Sequence, residues 1–347
     1  MSLLVATTKL SSILTSTVIP IEVEEEVIEE NGRTIQTDWI IGILMMVLSL
    51  ACAIAYYIIL STIYKDKELS RMASYRFMFF LGIFDIAQCF PHFVTGIFTI
   101  KQSVFYPGLA QAMGVIATPC YVAYAVLTIF LSFNRLIQLS SPTLDKYFFG
   151  GNRWMIWIGA ASVFWIGYMI ALASPWATIR YIPDWYSWDY DYDLPGSFYV
   201  QKCEMIIEVG GIFISAIFYS LIIYRLVKTK KRFLISKSYN AEIKVLIQAT
   251  VITVYCTVLN VLWHNYSWML PQNLWSYTAL NFMWILNSGV YPIIYFIVNK
   301  ALRDRIGVKR STTVIGGVSV FQRQEKTRIE RTETPKTSSN EKIRVIT

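Results

Sequence analysis

Apolar residues in this chain fall in long, nearly uncharged runs, without the short polar interruptions of a half-buried helix or strand. Such runs of about 20 or more residues, the length that crosses a hydrocarbon layer as helix, occupy 39–64, 77–100, 107–134, 154–176, 205–224, 245–270 and 274–298. The pattern predicts an all-α membrane protein, a bundle of seven transmembrane helices. The last run carries Pro292 and Tyr295 and continues into Asn299, Lys300, Leu302 and Arg303, followed by Arg305, Lys309 and Arg310. That mixture predicts a short amphipathic helix lying on anionic lipid after the seventh span. One stretch breaks the apolar pattern. Between Trp176 and Tyr199, residues Trp188-Asp189-Tyr190-Asp191-Tyr192-Asp193 alternate with period 2. As a strand they would put aromatics on one face and carboxylates on the other. The alternation leaves two readings open, a lid over a pocket or a solvated acidic loop with interfacial aromatics.

Composition agrees with the class, since 55% hydrophobic, 15% aromatic and 16% charged residues are too apolar for a soluble protein of this length. The net charge of +8 changes the picture only through its placement. With the N-terminus outside, 26 of the 31 Lys and Arg residues lie in inner segments, leaving Lys9, Arg33, Lys101, Arg180 and Lys202 outside. Cytoplasmic loops carry the positive excess, so the charge reports topology and contact with an anionic inner leaflet rather than nucleic-acid binding. The chain is expected to divide into an acidic extracellular tail over 1–37, a seven-transmembrane domain over 38–308 and a disordered cytoplasmic tail over 309–347. The residues before Thr34 lack the charge cluster and apolar length of a cleaved signal peptide.

Five cysteines make no disulfide framework. Cys52, Cys120 and Cys256 lie inside apolar runs, where a thiol behaves as a small hydrophobe.

Candidate chemistry is sparse. Asp85 is the sole carboxylate of the second run, and an ionisable group in the bilayer is costly unless paired or hydrated; Asn287 and Ser288 of the seventh run are the expected partners. Arg135 sits where the third run leaves the membrane, and Glu242 is its candidate partner. Pro292 deletes a backbone hydrogen bond and is expected to act as a hinge with Tyr295 below it. The outer half of the bundle is expected to present Gln88, His92, Gln111, Thr118, Tyr121, Glu208, Asn260, Trp263, His264, Tyr277, Asn281 and Trp284. Aromatic and amide linings of this kind suit a small-molecule ligand. The third run contains no Asp or Glu and the seventh no Lys, which excludes an amine-binding carboxylate on the third helix and a retinal Schiff base. His92 and His264 are the only histidines and neither has metal-ligand spacing, so no metal, cofactor or catalytic centre is expected.

Several motifs resemble the rhodopsin-like receptors. Asn134-Arg135-Leu136 with Pro142 is similar to their Asp-Arg-Tyr motif, Leu81-Gly82-Ile83-Phe84-Asp85 to their buried acidic site, and Pro292 with Tyr295 to their Asn-Pro-x-x-Tyr motif. More closely, Ala73 through Asp85, Asn134-Arg135 with Phe148-Phe-Gly-Gly-Asn-Arg-Trp154, and Trp284 through Asp304 resemble the nematode serpentine chemoreceptors of class T (Srt), with class X (Srx) the nearest alternative. The resemblance covers about 60–305. It implies a plasma-membrane chemosensory receptor, with sensory cilia a further option, that binds an external small molecule and activates a heterotrimeric G protein. Asp85, Asn134, Arg135, Glu242, Asn287, Pro292 and Tyr295 would carry activation and coupling. The family's disulfide from the outer end of the third helix to the second outer loop is not expected, because Pro107 to Ala110 contain no cysteine to join Cys203. Other departures are Asn134 for the acid, Tyr291 for the Asn before proline, and a sixth run without proline. They weaken the acid–arginine lock that holds the superfamily inactive.

A transporter, or a multi-pass protein without G-protein coupling, is the alternative reading. Transporters favour internal repeats and paired interrupted helices, which this sequence does not show, and a channel-type insect odorant receptor would place the N-terminus inside.

Overall fold

Thr34 starts the first helix because its hydroxyl accepts a hydrogen bond from the Thr37 N–H while the Thr37 hydroxyl accepts from the Thr34 N–H, a reciprocal cap. The computed structural model describes residues 32–233, 238–299 and 302–306. Its long helices are α1 (Ile35–Lys65), α2 (Ala73–Lys101), α3 (Pro107–Ser140), α5 (Trp154–Ala173), α6 (Pro195–Phe233), α7 (Ser238–Met269) and α8 (Leu274–Val298), with a short α4 (Pro142–Phe149) after α3. Among the described residues, six are long and apolar enough to cross a membrane. The remaining long helix, α7, spans 32 residues. Residues 302–306 form a helical turn after α8, where the amphipathic segment was expected; Lys309 and Arg310 lie outside the described residues.

The unbroken apolar runs are explained by two-sided demand. One face of each helix packs on its neighbours, and the other presents apolar groups outward to lipid. On α5 the outward stripe includes Ile156, Val163 and Ile170, and on α6 Ile206, Phe213 and Ile217. Between α1 and α2 the backbones approach closely at two glycines. A Cβ on Gly42 would stand 2.6 Å from the Gly96 carbonyl oxygen, and one on Gly96 would stand 2.5 Å from that of Gly42. Small residues let membrane helices come this near and gain dispersion contacts.

The all-α bundle carries a hairpin, in which β1 (Ile179–Ile182) and β2 (Ser187–Tyr190) pair antiparallel, with Arg180 opposite Asp189 and Tyr181 opposite Trp188. A 3-10 turn over Pro183–Trp185 and a left-handed Tyr186 (φ 50) join them. Also, α6 begins at Pro195 rather than near 205, so the outer loop is shorter than expected and Cys203 is an exposed helix residue. All five cysteines are free.

The hairpin is held by packing and hydrogen bonds instead of a disulfide. A Cβ on Gly114 of α3 would lie 2.3 Å from Cγ2 of Ile179, so glycine there lets the hairpin sit directly on α3. The Tyr181 and Thr99 hydroxyls share a 2.6 Å hydrogen bond, Trp188 Nε1 donates to Thr95 Oγ1 at 3.2 Å, and Asn281 Nδ2 donates to the Tyr186 carbonyl at 2.9 Å. Outside the bundle, Arg33 Nη1 donates to Gln102 Oε1 at 2.6 Å and pairs with Asp184.

At the inner end, Ser141 caps α4 and Pro142 occupies its first turn. Phe149 then packs among Phe77, Phe133 and Trp157, closing α2, α3 and α5 over an aromatic cluster. α7 lacks proline but is interrupted at Asn265 (φ −131, ψ 18), whose side-chain amide donates to the Val261 carbonyl at 2.9 Å. That internal bond occupies the asparagine of the Asn265-Tyr-Ser267 glycosylation triplet.

Candidate functional site

Under the hairpin, the outer half of the bundle holds two small spaces separated by Trp263. The upper one is lined by Trp185, Trp188, Asp189, Tyr190, Tyr266 and Tyr277, among others. Asp189 is largely buried there and accepts from the Tyr266 hydroxyl at 2.9 Å. Burial pushes its carboxyl above the usual carboxylate range, with the Tyr266 hydrogen bond opposing. The lower chamber is lined by Thr118 and Tyr121 of α3, Glu204 and Glu208 of α6, Leu259, Asn260 and Trp263 of α7, and Trp284 of α8.

The chamber's polar groups are tied to one another. The Tyr121 hydroxyl donates to Asn260 Oδ1 at 2.6 Å, joining α3 to α7. His264 Nε2 and Glu208 Oε2 lie 2.9 Å apart, both side chains 1% exposed, joining α6 to α7. The Tyr190 hydroxyl donates to Glu204 Oε2 at 2.5 Å, tying the hairpin to α6. Trp284 stands edge-on to His92 (centroids 4.9 Å apart) and to Trp263 (5.1 Å).

Six of the twelve residues expected to face a ligand therefore meet in one chamber: Thr118, Tyr121, Glu208, Asn260, Trp263 and Trp284. Tyr277 lines the upper space, and His264 supports Glu208. Four have other duties. Gln111 Nε2 donates to the Leu172 carbonyl at 3.2 Å, clamping α3 to α5. Asn281 holds the hairpin, His92 packs behind Trp284, and Gln88 belongs to the polar chain below. Glu204 was missed by the sequence reading, because the fifth run was started at 205. The signal was present: Glu204 stands four residues before Glu208, hence on the same helix face.

Asp85, completely buried, has different partners from those expected. The Tyr56 hydroxyl of α1 donates to Oδ2, and Gln88 Nε2 donates to Oδ1 at 3.3 Å. Gln88 Oε1 in turn accepts from Trp284 Nε1 at 3.2 Å. Asn287 instead accepts from Cys256 Sγ at 3.6 Å, and Ser288 Oγ is buried without a partner. A tyrosine one helix away replaces the expected seventh-helix partners, which a one-dimensional reading had no means of locating.

Toward the inner face, Tyr291 packs edge-on against Tyr124 (5.4 Å) and Tyr295 (5.6 Å). Pro292 lies within α8 between them, and the Tyr295 hydroxyl is buried and unpaired. Asn134 accepts from Ser74 Oγ at 2.8 Å, linking α3 to α2. Arg135 is half-buried at the inner end of α3 and makes no ion pair among the described residues. The side chain of Glu242 lies outside the described residues, although its helix is placed.

The arrangement has the architecture of a seven-helix receptor, and comparison bears this out. The crystal structure of squid rhodopsin superposes with a TM-score of 0.67 at 16% identity, over 88% of this chain and 95% of that one, a likeness of fold. No curated protein matches by sequence. The sequence profile described as "Serpentine type 7TM GPCR chemoreceptor Srt" matches residues 20–314. The chain belongs to that family of chemoreceptors.

Proposed function

We propose that this integral membrane protein binds an external small molecule in the chamber under the hairpin and activates a heterotrimeric G protein at its inner face. One observation carries the reading. Trp284 both lines the chamber and begins a hydrogen-bonded chain through Gln88 to Asp85 and Tyr56. A ligand that moves Trp284 therefore disturbs a buried carboxylate joining α1 and α2 beside α8. Tyr291, Pro292 and Tyr295 continue along α8 toward Asn134 and Arg135. A ligand that prefers the conformation with an open inner face shifts the population toward it. In this reading residues 1–37 are extracellular and 309–347 cytoplasmic, 38–308 form the receptor domain at the plasma membrane, and Glu242 is the partner of Arg135 in the resting state.

Expression in a heterologous cell, with a panel of volatile and water-soluble metabolites and a G-protein activation readout, tests the proposal. Activation by at least one compound, lost in Trp284→Ala at equal surface expression, is the expected result. Activation unaffected by Trp284→Ala would remove the chamber from the mechanism.

A further inference from the structure

Two carboxylates line the lower chamber, with one imidazole, His264, behind Glu208. Were a bound cation to ionise both carboxylates, a single imidazolium could neutralise only one of them. Buried unpaired charge is costly in membrane interiors, and among the described residues no Lys or Arg forms an ion pair with either glutamate. The Glu204 and Glu208 carboxyls hydrogen-bond to each other, while Thr118 Oγ1, on a different helix, is buried without a partner. Thr118 lines the chamber and is 1% exposed, so unmet hydrogen-bonding capacity faces the two acids. The remaining wall is aromatic, with Tyr121, Trp263 and Trp284, whose ring faces attract a cation. The approach carries the same sign: between Ser174 and Gly196 the outer loop has Asp184, Asp189, Asp191 and Asp193 against Arg180 alone.

From these features we propose that the ligand is a compact organic cation, its ammonium head held between Glu208, Glu204 and the Trp263–Trp284 wall, with Thr118 accepting any N–H. The proposal rests on the receptor reading for its biological sense but not for its test. The carboxylates come from the fifth span, so the absence of an acid on the third span does not disqualify an amine. Asp189 in the upper space is a first station on the way in.

The test uses purified full-length receptor in lipid nanodiscs, with choline and tetramethylammonium as cations and 3,3-dimethylbutan-1-ol as the uncharged isostere of choline. A ligand that binds only the folded state raises the unfolding temperature in proportion to its occupancy. Both cations should raise it and the isostere should not. Glu208→Gln should weaken the cation effect by at least roughly tenfold, as expected when a buried charge loses its partner. An equal shift with the isostere, or no shift with either cation, would overturn the cation site. The wild-type comparison stands even where Glu208→Gln does not fold. Failure of the receptor reading looks different: cations would shift the unfolding temperature yet never activate a G protein in cells. Activation by a neutral compound that persists in Glu208→Gln would keep the receptor and remove the cation site.

Discussion

Asp85 shows how one side chain can serve structure and switching together. Its two oxygens each have a donor, Tyr56 from α1 and Gln88 from its own helix, so the carboxylate is satisfied where an isolated one would be untenable. Tyr56→Phe removes one donor and should cost about 1–3 kcal/mol, the usual penalty for a buried polar atom left unsatisfied. A lower unfolding temperature of the purified protein would register it. Asp85→Asn keeps the size but removes the ionisable group and turns one acceptor into a donor, which reverses the hydrogen bond with Tyr56 or with Gln88. Basal or agonist-driven signalling should change while the protein still reaches the membrane. Superimposable dose–response curves at matched surface expression would show that Asp85 only packs. The sequence made Asp85 conspicuous as a lone acid in an apolar run, but not its partners. Tyr56 is one aromatic among many in α1, and only the lateral placement of helices picks it out.

The elements were legible to different degrees. Hydrophobic run length located the seven long helices, because lipid imposes apolar residues on the faces that packing does not use. The outer loop was harder. Its period-2 alternation left a strand and a solvated loop both open, and Trp188 and Tyr190 are buried in β2 while Asp189 is only partly so. Its partner strand over Ile179–Ile182 has no such signal, and the early start of α6 was hidden by the polar residues Gln201, Lys202 and Glu204. In place of a disulfide, Gly114 sets how closely the hairpin can sit. Gly114→Val should strain the contact with Ile179 by about 1–3 kcal/mol, as overpacking does. The hairpin should then become a site of limited proteolysis on intact cells, with weakened ligand response. Unchanged protease resistance would mean that the hydrogen bonds at Thr95, Thr99 and Asn281 hold it without help.

At the scale of the whole molecule, the seven-helix receptor fold and the family membership fix the class, while the direction of signalling rests on topology and on Arg135. The lopsided placement of Lys and Arg is the ground for the proposal that the N-terminus lies outside. An epitope before Asp38 should therefore be reached on intact cells and one after Lys309 only after permeabilisation; the reverse pattern would contradict the receptor account. Asn134 with Arg135 and Pro142 stood out in the sequence as a motif. The hydrogen bond from Ser74 of α2 to Asn134 did not, because it joins residues on different helices. The most direct test of the central claim is nucleotide exchange on a heterotrimeric G protein by the receptor in membranes, wild type against Arg135→Ala, at equal surface expression and with an activating ligand present. The account predicts ligand-stimulated exchange by the wild type and its loss in Arg135→Ala with ligand binding retained. Equal exchange by both, or loss of expression with full exchange by each surviving receptor, would contradict it.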